Sequence, residues 1–110
     1  MSKRKRLPDR RTQISLDFEH VGHRFNLGCG FYPDGRLGEV FISSNKPGSP
    51  IEALARDAAV ILSIVLQYSA DIDAIRAALT KDHDGSPATL IGSALDALVQ
   101  ANISTAKAKE

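Results

Sequence analysis

Apolar and polar positions alternate twice near the start of the chain. Ile14, Leu16 and Phe18 are separated by Ser15 and Asp17, and Phe25, Leu27, Cys29 and Phe31 by Asn26, Gly28 and Gly30. A period of two puts one set on a buried face and the other on an open one, so each run predicts a half-buried strand. Val21-Gly22 can turn the chain between them. Pro33-Asp34-Gly35 is stronger turn chemistry: proline presets φ, aspartate bonds the backbone locally, and glycine accepts a left-handed conformation. Leu37–Ile42 then reads as a third strand, and links this short predict a three-stranded antiparallel meander.

The period changes after Ser49. Ser49-Pro50-Ile51-Glu52 has the form of a capping box, with a serine to accept from an early helical N–H, a proline suited to the first turn and a glutamate that reaches back. A helix over residues 50–68 follows, with Ile51, Leu54, Ala55, Ala58, Leu62 and Val65 on one face. Val60, Ile61 and Ile64 widen that stripe beyond the need of a one-sided helix. This predicts a central helix, covered by the sheet on one side and by other helices or a partner subunit on the other. Asp71 caps a short second helix to about Leu79. The polar run Lys81–Ser86 is a loop, and a third helix from about Pro87 to Ala101 presents Leu90, Ile91, Leu95 and Leu98. Strands followed by helices predict an α+β fold: a three-stranded antiparallel meander, then a long central helix and two more packed on one sheet face.

Composition narrows the class. A chain of 110 residues with 43% hydrophobic and 25% charged residues fits one globular domain with a thin core. The longest uncharged run, Ala58–Ala70, falls short of the ~20 apolar residues that cross a bilayer. A single cysteine, Cys29, excludes an intrachain disulfide and points to a reducing, cytoplasmic setting. Charge is uneven: the first eleven residues hold Lys3, Arg4, Lys5, Arg6, Arg10 and Arg11 against Asp9, while the remainder carries eight basic and twelve acidic residues. The expected organisation is a flexible basic arm over residues 1–11, one domain over 12–102 and a frayed tail over 103–110. The arm is either solvated or a contact for nucleic acid.

Candidate chemistry is sparse. His20, His23 and Cys29 lie close in sequence, but zinc wants about four such ligands and His83 is distant, so no metal site is expected. Cys29, on the apolar face of its strand, reads as a small buried hydrophobe. Asp82, His83 and Asp84 have no nucleophile beside them. Glu39, a charge within an apolar strand, requires an arginine such as Arg36 or Arg56 if it is covered. Lys46, Gly48 and Ser49 precede a helix N-terminus, where N–H groups, a lysine and a hydroxyl can cradle a nucleotide-like anion. Their spacing does not match the P-loop.

Four motifs occur in order: LPDRR (Leu7–Arg11), Y-x-D-G-x-x-G-E-V-F-I (Tyr32–Ile42), K-x-G-S (Lys46–Ser49) and S-I-V-L-Q-Y (Ser63–Tyr68). Together they resemble the TSCPD-type domain found near the C-terminus of vitamin B12 (adenosylcobalamin)-dependent ribonucleotide reductases, over about Leu7 to Leu79. Asp34, Gly35, Gly38, Glu39 and Phe41 are the motif residues with structural roles. The chain departs from the pattern in lacking the T-S-C-P-D string and in having Ser69 where the reductases tend to carry glycine. The resemblance implies deoxyribonucleotide synthesis, with adenosylcobalamin as the cofactor of the ribonucleoside-diphosphate reductase. That chemistry needs a thiyl-radical cysteine, two reducing cysteines and a large barrel. Cys29 alone cannot supply it. The expected role is a non-catalytic accessory domain that docks to a reductase or binds a nucleotide-like anion. A nucleic-acid module using the basic arm and a structural homodimer are the alternatives.

Overall fold

Val21-Gly22 joins the first two strands with both residues at positive φ, 49° and 77°, a two-residue turn whose twist matches that of the flanking strands. The computed structural model describes residues 3–44 and 48–104. The strands are β1 (Gln13–His20), β2 (His23–Phe31) and β3 (Leu37–Ser44), in the order β1-β2-β3 and antiparallel throughout. At the second turn, Gly35 N–H donates to the Tyr32 carbonyl at 2.9 Å, and Gly35 takes φ 90°. Asp34 holds that turn by accepting from the Arg36 amide and from Arg36 Nε, both at 3.0 Å.

Register places Leu16, Leu27 and Ile42 in one row across the sheet and Ile14, Cys29 and Val40 in the next. The helices α1 (Pro50–Gln67), α2 (Ile72–Ala78) and α3 (Leu90–Gln100) follow. α1 packs against β3, and α3 against β1 and α1. Phe18, Phe25, Leu27, Cys29, Val40 and Ile42 from the sheet and Ala55, Leu62, Leu66, Leu95 and Leu98 from the helices form one core. The expected α+β meander with helices on one face is the architecture found.

Each helix start has a chemical cause. Ser49 Oγ accepts from Glu52 N–H at 3.2 Å, Asp71 caps α2, and Thr89 Oγ1 accepts from Gly92 N–H at 3.2 Å. The third helix therefore begins at Leu90 rather than near Pro87. Pro87 instead pairs with Lys81 in an isolated bridge that closes the polar loop, with Gly85 at φ 87°. α1 and α3 end alike, with a left-handed residue just past the helix. Ser69 N–H donates to Leu66 O and Ala70 N–H to Val65 O, while Asn102 N–H donates to Val99 O and Ile103 N–H to Leu98 O. Ile103 is buried, and Ser104 O accepts from Leu37 N–H at 2.8 Å, so the described part of the tail bonds to the start of β3.

Two left-handed positions hold residues poorly suited to them. Val21 (φ 49°) is β-branched, and Ser69 (φ 71°) occupies the site where glycine is favoured at a helix C-terminus. Val21→Asn and Ser69→Gly should each raise unfolding stability by about 1 kcal/mol. Urea titrations of the single variants check this, and a fall in either midpoint refutes it.

Candidate functional site

α1 lies along the open edge of β3, and its polar side chains take the place of a fourth strand. Ser63 Oγ accepts from Val40 N–H at 2.9 Å and donates to Val40 O at 3.0 Å. One turn further on, Gln67 Nε2 donates to Gly38 O at 3.1 Å. At the other end the Glu52 carboxylate accepts from Ser44 N–H at 3.2 Å and from Ser44 Oγ at 3.3 Å. An edge strand presents unpaired peptide groups, and these three side chains satisfy those of Gly38, Val40 and Ser44 without exposing the edge.

This duty sets the rotation of α1. The buried positions are Glu52, Ala55, Ala59, Leu62, Leu66 and Gln67, whereas Ile51 and Leu54, expected on the buried face, are exposed. Turning Ile51 and Leu54 inward would carry Glu52, Ser63 and Gln67 off the β3 edge.

The N-terminal segment is bound to the same edge. Gln67 Oε1 accepts from Arg4 Nε at 2.7 Å, and Gln67 main-chain O accepts from Lys5 N–H at 2.8 Å. The buried Tyr32 donates its hydroxyl hydrogen to Lys5 O, and the Lys5 ammonium lies 5.5 Å from the Tyr32 ring centroid. A Cβ at Gly38 would come within 2.7 Å of Tyr32 Cε2 and 3.0 Å of Leu7 Cδ2, so only glycine leaves room for both. Glu39 is 7% exposed, and its carboxylate pairs with Arg11 through Nε and, at 3.2 Å, through Nη2. Its partner comes from the segment before β1 and not from Arg36, which bonds Asp34, or from the exposed Arg56. The guanidinium of Arg11 is held above its usual pKa, first by this hydrogen bond.

The proposed anion cradle has a resident carboxylate. Gly48 N–H donates to Glu52 Oε1 at 3.1 Å, and Ser49 Oγ is bonded to Glu52 N–H. Glu52 thus stands at the N-terminus of its own helix, held below the usual carboxylate range chiefly by the Ser44 and Gly48 amides. Lys46 lies outside the described residues. A depressed pKa contributes stability at neutral pH that fades as pH falls through the ordinary glutamate range toward the folded value. Glu52→Gln should melt lower than the parent at pH 7, with the gap closing as the solution is acidified. Thermal melts across that range test this, and a pH-independent gap refutes it.

The other candidates do not converge. Cys29 is 1% exposed, and burial pushes its thiol up to about 11, which keeps it protonated. His20 Nδ1 is hydrogen-bonded to Ser93 Oγ at 2.7 Å, tying the first hairpin to α3. Among the described residues, no three of His, Cys, Asp and Glu gather where a metal ion could sit. An open groove of about 660 Å³ does run between β3 and α1. Phe41 forms one wall, Val60 and Ile64 the other, and Arg4 and Arg56 also line it.

Comparison with known proteins gives the family. The TSCPD domain model matches residues 2–101. The chain belongs to the TSCPD domain family. Proteins similar to this TSCPD domain include vitamin B12-dependent ribonucleotide reductases of Rhodopirellula baltica, 41% identical over 73 residues, and of Bradyrhizobium diazoefficiens, 37% identical over 73 residues. A third, from Agrobacterium fabrum, is 34% identical over 70 residues. The matches cover 66%, 66% and 64% of this chain but 7%, 6% and 6% of those reductases, so the chain spans a small fraction of their length. No solved structure matches it significantly.

The motif residues of this TSCPD domain meet at one place. Leu7, Arg11, Tyr32, Gly38, Glu39, Val40, Ser63 and Gln67 come from three separate motifs and lock the N-terminal segment, β3 and α1 together. Sequence reading missed Arg4, Ser63 and Gln67. For Ser63 and Gln67 the one signal is a polar side chain standing inside the apolar stripe of a helix, opposite a strand in need of partners; Arg4, in the segment before β1, carries none.

Proposed function

We propose that this chain is a non-catalytic accessory domain of deoxyribonucleotide synthesis that docks onto a vitamin B12-dependent ribonucleotide reductase. The observation that carries the reading is the match to a segment making up 6–7% of such reductases. The motif residues support it: their polar groups are engaged in internal bonds, as expected of a scaffold whose work lies in an exposed surface.

Adenosylcobalamin belongs to the partner in this reading. Radical transfer requires a cysteine within reach of the cofactor, and Cys29 is sealed in the core with its proton retained. The groove beside β3 is open, and His20, His23 and Cys29 present no converging ligands to a corrin cobalt. The described residues of this chain do not fit that group. The anion alternative is less well supported, since a phosphate at Gly48 and Ser49 would have to displace the Glu52 carboxylate. For the nucleic-acid alternative, Arg4 and Arg11 are already bonded within the domain.

The test is to mix the purified chain with the B12-dependent reductase of its host. Sedimentation velocity reports a complex, and turnover of ribonucleoside diphosphate with adenosylcobalamin reports its effect. A mixed species of defined stoichiometry is expected. Two independent sedimenting species together with unchanged turnover would end this reading.

A further inference from the structure

The outer half of α1 is an apolar surface with no cover. Ile51 is 45% exposed, Leu54 71%, Val60 56%, Ile61 64% and Ile64 37%, all on α1, and Tyr68, its C-cap, 48%. A helix that is apolar on the side facing its sheet and again on the opposite side has the composition of a buried helix. Taken over whole residues, these exposures sum to at most roughly 650 Å², at the upper end of the ~300–600 Å² of a monomer's largest apolar patch and approaching the ~800 Å² that each side of a standard interface buries.

We propose that a second copy of this chain covers this face, with two α1 helices packed antiparallel about a two-fold axis at Ile61. Area is the first argument, because two such faces supply nearly the whole of a standard interface without help from the rest of the domain. Charge is the second. Of the two exposed charged residues of α1, Arg56 lines the groove beside β3, so Asp57 is the charge on the outer face; with Ile61 on the axis the two Asp57 residues stand about 12 Å apart along the helix pair and do not face each other. Symmetry is the third: with Ile61 on the axis, Leu54 lies seven residues to one side and Tyr68 seven to the other, so each meets the other across the dyad. The proposal goes beyond reductase docking and stands without it, since the dimer forms in the isolated protein.

Light scattering and sedimentation equilibrium of the full chain at rising concentration are expected to give twice the 11.8 kDa monomer mass. Ile61→Lys should weaken dimerisation by roughly 100-fold or more. Its circular dichroism and melting point as a monomer should match those of the dissociated parent, because Ile61 is not in the core. Leu54→Lys is a second disruption, and Gln13→Lys, exposed at the start of β1 on the sheet edge opposite β3 and α1, should leave the dimer intact. Ile61→Cys should form an interchain disulfide on mild oxidation, as a residue on the axis must. A parent monomeric at every concentration, or a dimer that survives both Ile61→Lys and Leu54→Lys, would overturn the proposal. A monomeric parent whose reductase binding is lost in Ile61→Lys would assign the face to the reductase, overturning the dimer while leaving the docking function standing.

Discussion

Leu27→Ala is expected to remove about 3–4 kcal/mol of unfolding stability. Leu27 has no exposed surface and sits on the central strand, opposite Leu16 on one side and Ile42 on the other. Truncation there loses the transfer energy of the buried methyl groups and leaves a cavity that two flanking strands cannot close. A domain of this size has about 5–15 kcal/mol in total, so the variant should remain folded but melt far lower. Ile14→Ala is the matched control, being on the same sheet face but 43% exposed at the edge, and should cost less than about 1 kcal/mol. Urea unfolding followed by circular dichroism gives both values. Equal losses at the two positions would mean that the core does not centre on the row through Leu27.

What the sequence made legible follows from the range of each signal. Strands and turns came through because alternation and turn residues act over two to four neighbours. Pro33-Asp34-Gly35 turns the chain, and Leu27 and Cys29 point inward. The helix starts at Ser49 and Asp71 are equally local, while the third helix, expected from about Pro87, is capped by Thr89 and starts at Leu90. The rotation of α1 was not legible from its own stripe, because that helix is apolar almost all round. It was decided by the peptide groups of β3, which Glu52, Ser63 and Gln67 reach from outside their own segment. The partner of Glu39 was hidden for the same reason. Arg11 is 28 residues away in a segment whose composition looks like a solvated arm, and only the closed fold brings the two together. Of the candidate site, the capping box of Ser49 and Glu52 was legible, but not that the Glu52 carboxylate takes the amide of Gly48, four residues before it, and so occupies the expected anion cradle.

Motif spacing and chemistry also separate here. Tyr32, Gly38, Glu39, Ser63 and Gln67 have the residue types of an active site, with a phenol, a carboxylate, a hydroxyl and a carboxamide close together. Each polar group already has a partner: Tyr32 with Lys5, Glu39 with Arg11, Ser63 with Val40, and Gln67 with Gly38 and Arg4. Polar groups satisfied within a packed fold fix one arrangement of its parts. Their shared task is to hold the N-terminal segment, β3 and α1 in register. That leaves the outer face of α1 and the adjoining groove free to meet another molecule.

The second large effect is expected at Gly30. A Cβ there would lie 2.2 Å from Glu39 Oε2, 2.6 Å from its Cγ and 2.8 Å from its Cδ, because Gly30 and Glu39 are paired across β2 and β3 on the outer sheet face. Gly30→Ala therefore cannot coexist with Glu39 in its present position. A free glutamate would swing aside at little cost, but Arg11 holds this one with two hydrogen bonds. The variant must either strain the sheet or break the ion pair and release the segment that Arg11 anchors. A loss of about 1–3 kcal/mol is expected, together with faster amide exchange at Lys5, whose N–H bonds Gln67. A double-mutant cycle separates the clash from any intrinsic effect of alanine on the strand. With Glu39→Ala in the background the clash is gone, so Gly30→Ala should then be neutral or slightly stabilising through its gain in strand propensity. The same loss in both backgrounds would show that Glu39 does not lie over Gly30, and the Arg11 anchor would fall with it.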